Sequence, residues 1–142
     1  GQSIMDGGLI FFFAAIIIIG VILFAIVTLG KKGGRLDVEK YRIKWLSIEQ
    51  SLARDNEASY QLAVLNADKL LDHALREKGF KGQTMGDRLK AAKDSLPHRN
   101  HIWTAHKLRN QLAHEPDFKV DYNQARKALA GFKAGLKDIG AI

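Results

Sequence analysis

Arg109, Asn110 and His114 are the residues of this chain whose types and spacing suit a chemical step. They lie at the end of HIWTAHKLRNQLAH, a stretch with helical periodicity that stops at Glu115-Pro116, because a residue before proline is driven out of the helical region. A histidine side chain titrates near neutrality and can take or give a proton. An arginine keeps its charge and presents a planar fork matched to phosphate oxygens, so it stabilises negative charge as that charge develops. An acid–base group and a charge stabiliser are what cleavage of RNA by its own 2′-hydroxyl requires, with no metal. At 100° per residue, Asn110 lies about 40° from His114 and can orient it, whereas Arg109 lies about 140° away. Arg109 and His114 of one chain therefore converge poorly. Two copies of the helix meeting across a two-fold axis would bring them around one phosphate, so a composite site in a homodimer or higher homo-oligomer is expected. Lys107, His106 and Arg99 on the same helix are the expected nucleic-acid contacts. A second role stays open for Arg109: it shares the inward-looking face with Ile102, His106 and Ala113, where it would be a buried structural arginine.

Other chemistries find no footing. The chain has no Gly-rich phosphate loop, no HExxH, no elbow serine and no aromatic ribonucleoprotein pattern. It has no cysteine, which removes disulfides and thiolate metal sites and suits a cytoplasmic domain. His98 and His101 precede or begin the helix and His106 stands four residues from neither, so no zinc site is expected. These histidines are placed on the surface or in a groove. No metal and no cofactor is assigned, and Trp45 and Trp103 are taken as packing anchors.

The elements that must hold the motif are helices, since nothing in residues 36–142 alternates apolar and polar long enough to make a strand. Val38, Tyr41, Trp45, Ile48 and Leu52 predict a helix over 37–53. Asp55 or Asn56 caps a second one, running to 77 with Tyr60, Val64, Ala67, Leu71 and Ala74 inward and Gly79 and Gly82 closing it. Thr84 with Asp87 resembles a capping box for a short third helix through 89. Pro97 and Asn100 punctuate the start of the motif helix. Asp121 with Gln124 caps the last, whose Tyr122, Ala125, Leu129, Phe132, Leu136 and Ile139 keep a three-four repeat. The expected fold is all-α, a four- to five-helix antiparallel bundle over residues 37–142.

Ahead of the bundle, residues 9–29 read LIFFFAAIIIIGVILFAIVTL without a charge, about 31 Å of helix against a hydrocarbon core of about 30 Å. A cleaved signal would need basic residues before a shorter apolar core, and no Lys or Arg precedes Lys31. Residues 1–8 thus form a short N-terminal segment, 9–29 a transmembrane helix, and 30–36 a basic, Gly-rich linker. Lys31, Lys32 and Arg35 flank the membrane end, which by the positive-inside rule puts the bundle in the cytoplasm, on a single-pass cell-membrane anchor. All 22 Lys and Arg but only 14 of the 15 acids follow residue 30, so the soluble part carries +8 and favours polyanions: the lipid bilayer, or RNA.

The sequence LRNQLAHEP, residues 108–116, on the fourth of five helices resembles the motif of the HEPN domain family, and the resemblance extends over about residues 37–140. It implies a dimerising helical bundle, in many members a metal-independent ribonuclease, with Arg109, Asn110 and His114 as the site. A toxin subgroup carries Tyr two residues beyond the His; here that position is Pro116. Three functions follow as expectations. The first is a membrane-tethered dimeric ribonuclease in stress or phage defence. The second is a bundle of the same kind that docks RNA or another protein subunit without cleaving. The third is a processed pilin-like filament subunit beginning at Gly1, which would put the domain outside the cell.

Overall fold

The computed structural model describes residues 2–31 and 34–142. Gly1 and Lys32, named above as a chain start and a membrane-proximal base, and Gly33 of the linker lie outside the described residues. Every regular element among the described residues is a helix, with no strand. They form two units, divided between Gly34 and Arg35.

The first unit is α1, Gln2–Lys31. Its stretch Asp6–Val27 is long and apolar enough to cross a membrane, about 33 Å at helical rise, and its large aliphatic and aromatic side chains are exposed.

The second unit is a bundle of α2 (Val38–Ser51), α3 (Glu57–Lys78), α4 (Met85–Ala91), a single 3-10 turn at Lys93–Ser95, α5 (Arg99–His114) and α6 (Tyr122–Asp138). Each start but one carries a side-chain cap, expected at Asn56, Thr84 and Asp121 and additional at Asp37, which caps its helix rather than opening it: these four side chains accept from the Ser59, Asp87, Gln124 and Lys40 amides, respectively. At Asp121 the Gln124 side chain answers back, completing a capping box. The exception is α5, which begins at Arg99 rather than 101 and whose N-cap, His98, makes no side-chain cap bond. There Asp138 at the end of α6 accepts from the His98 backbone N–H and sits 2.9 Å from its Nδ1, so a tertiary contact does the work of a cap. Gly79 ends α3 at φ 97, the left-handed conformation that glycine adopts without a Cβ penalty.

The predicted stripes become the core. Tyr41, Trp45 and Ile48 of α2 and Tyr60, Val64, Ala67, Leu71 and Ala74 of α3 meet Ala125, Leu129, Phe132 and Leu136 of α6. The α6 helix packs most extensively against α5 and α3. Its Gly131 makes that possible, since a Cβ there would lie 2.8 Å from the His101 carbonyl oxygen.

Candidate functional site

An apolar stripe on α3 is interrupted at Asp68, one turn after Val64 and three residues before Leu71, and this carboxylate is 4 % exposed. A buried charge persists only when it is paired. Helix α5 supplies the partners. His106 Nδ1 lies 2.6 Å from Asp68 Oδ2, and Arg109 Nε lies 3.7 Å from Oδ1. Asn110 closes the group: its Oδ1 accepts from Arg109 Nη1 at 3.1 Å, and its amide nitrogen faces His106 Nε2 at 3.5 Å. In this pattern His106 donates to the carboxylate from Nδ1 and turns Nε2 toward the Asn110 side chain.

A second pair, of a buried Arg88 with a half-buried Asp72, stands beside it. Arg88 of α4 donates from Nε and Nη2 to the two oxygens of Asp72, and from Nη1 to the Gly82 carbonyl. Arg76, one turn further along α3, adds an ion pair to Asp72 at 3.1 Å. Together α3, α4 and α5 enclose a groove of about 880 Å³, with the Asp68–His106 pair and the Asp72–Arg88 pair among the residues lining it. Six lysines and arginines against three aspartates line the groove, which leaves it cationic and suited to phosphate.

No family model, curated protein or solved structure matches this chain. The groove is therefore read from its own geometry.

Arg109, Asn110, His114, Lys107 and His106 all line this one groove, while Arg99, exposed in the first turn of α5, does not. His106 lines the groove, as the sequence allowed, but it is 7 % exposed and its ring is engaged by Asp68, because α5 turns that position toward α3. Arg109 is neither fully buried nor free. Its side chain is 35 % exposed, and the two contacts above use only part of a five-donor fork. His114 is exposed in the last turn. Although the helical wheel separates Arg109 and His114, both line this one groove of a single chain. Trp45 is buried, and Trp103 is half-buried on the groove wall with its ring edge-on to His106. Of the membrane-proximal bases, Arg35 is exposed just ahead of α2.

Asp68, Asp72 and Arg88 are the site residues that sequence reasoning missed. A signal existed for Asp68, a carboxylate within the inward arc of an otherwise apolar stripe, but its partner lies 38 residues away. Among the described residues no three His, Asp or Glu side chains gather to hold a metal ion.

Proposed function

We propose that this chain is a membrane-anchored, HEPN-like ribonuclease that cleaves RNA without a metal and works as a homodimer with its bundle in the cytoplasm. The groove carries the reading: a permanently charged Arg109, held by Asp68 and Asn110, and an exposed His114 line one cationic cleft. In such a cleft a base takes the proton of the 2′-hydroxyl, the oxygen attacks phosphorus, and the P–O5′ bond breaks as the leaving oxygen gains a proton. His114 serves one of these proton transfers, and Arg109 stabilises the charge on the non-bridging oxygens. The anchor rests on α1, long and apolar enough to cross a membrane, and the cytoplasmic side on Lys31, Lys32 and Arg35 after it.

The test is cleavage of RNA by the full chain in detergent with excess chelator. Arg109→Ala and His114→Ala are each expected to abolish cleavage while circular dichroism stays helical. Cleavage that survives both substitutions would remove the assignment. Because one chain's groove holds both groups, mixing the two inactive variants is expected to restore nothing; returned activity would mean that the site is shared across the dimer.

A specific observation favours the second reading, a bundle that docks RNA or a protein subunit without cleaving. Asp68 already engages Arg109, as in a structural arginine. RNA binding by the wild type with no cleavage, together with unfolding of Arg109→Ala, would select it.

A further inference from the structure

Ile43, Leu46 and Leu62 are the large aliphatic side chains left exposed on the soluble unit, at 63 %, 54 % and 55 %. Ile43 and Leu46 belong to α2, on the side turned away from Tyr41, Trp45 and Ile48, which that helix buries. Lys40 and Arg42, both exposed, flank them on either side, and Lys44, also exposed, lies further round toward α3. Glu39 is the acid of this outer face, for Glu49 is engaged by Lys133 and Trp45. Isolated exposed aliphatics are ordinary. Paired on one face and flanked by Lys40 and Arg42, they have the character of an interfacial helix, whose apolar groups enter the acyl boundary while Lys and Arg remain among the headgroups.

The chain also fixes what lies within reach of that face. Helix α1 ends at Lys31 and α2 begins at Val38, seven steps later, a span of at most about 24 Å when fully extended. A bilayer crossed by α1 is therefore presented to α2 at high effective concentration. The intervening stretch adds Lys32 and Arg35 to the same basic run.

We propose that the outer face of α2 docks on the anionic lipid surface of the bilayer that anchors the chain, with Ile43 and Leu46 at the acyl boundary and Lys40 and Arg42 on the headgroups. This rests on the reading of α1 as a membrane anchor.

The chain contains no cysteine, so single-cysteine variants carry one nitroxide each. The full chain is reconstituted into phosphatidylcholine vesicles with and without about one-third phosphatidylglycerol, and collisions with oxygen and with a water-soluble nickel chelate are read. A label at Ile17→Cys reports on α1, labels at Ile43→Cys and Leu46→Cys on the docking face, and one at Asn123→Cys on an exposed position of α6. Position 17 is expected to be lipid-exposed in both vesicles, and 123 water-exposed in both. Positions 43 and 46 should move to the lipid boundary in anionic vesicles. Adding Lys40→Gln and Arg42→Gln should return them to water, each lost cation lowering the ratio of docked to undocked protein about fivefold. If 17 lies in lipid while 43 and 46 match 123 in anionic vesicles, docking is wrong and the anchor stands. If 17 lies in water, the anchor fails and docking falls with it. Shielding of 43 and 46 that is independent of lipid charge and rises with protein concentration would assign the face to a second copy of the chain, and the proposal would be overturned.

Discussion

Asp68 is the residue on which the groove turns, because one buried carboxylate holds both His106 and Arg109. Asp68→Asn keeps the size but removes the charge, and is expected to cost about 1–3 kcal/mol in urea unfolding and to lower RNA cleavage through a loosened Arg109. Unchanged stability would mean that His106 and Arg109 find other partners. Away from the groove, two carboxylates tie the titration of the fold to low pH. Burial alone would raise Glu49, but Lys133, Trp45 and Lys137 outweigh it and hold its pKa below the ordinary 4.5. Glu77 is likewise lowered, by the Tyr41 hydroxyl first and, against the pull of burial, by His73 and Lys40. The same neighbourhood raises Tyr41, whose buried hydroxyl makes no hydrogen bond of standard geometry: burial acts first, then Glu77. A carboxylate with a depressed folded pKa contributes stability that is present above its unfolded value and is lost as pH falls through the folded one. The unfolding midpoint in urea is therefore expected to hold above about pH 5 and to fall below it, and Glu49→Gln should flatten part of that decline.

At the level of elements, the closest approach is that of α6 to α5. A methyl group at position 131 meets the His101 carbonyl at 2.8 Å, backbone that cannot swing aside, so Gly131→Ala is expected to cost about 1–3 kcal/mol despite its better helix propensity. A gain in thermal stability would show that α6 can shift along its neighbour. The Asp121 capping box starts the same helix, and Asp121→Ala should cost about 1 kcal/mol. These local signals were legible from sequence, for caps and stripes depend on residues three or four apart. The limits of the reading were local too: the first helix of the bundle stops at Ser51 rather than 53, and α4 runs on to Ala91 rather than 89. The start of α5 was not legible, because its substitute cap, Asp138, is 40 residues distant.

For the whole molecule, division between Gly34 and Arg35 predicts that removing residues 1–34 leaves a soluble, helical, monodisperse protein. Aggregation of the truncated chain by light scattering would mean that the bundle needs α1. The +8 charge predicts RNA affinity that falls steeply from low to physiological salt, measured by fluorescence anisotropy, since each neutralised phosphate releases counterions. A flat salt response would assign that charge elsewhere. The sequence by itself determined the all-helical bundle, its inward stripes, most of its caps and the long apolar helix ahead of it. Each of these follows from periodicity, from residues within one turn of each other, or from the length of an apolar run. Only the tertiary structure decided that His106 is spent on Asp68, that Arg109 is half-exposed, and that Arg109 and His114 line one groove. The reason is physical: a helical wheel gives directions around one axis, whereas a groove is made by three helices whose partners lie tens of residues apart, where no spacing rule reaches.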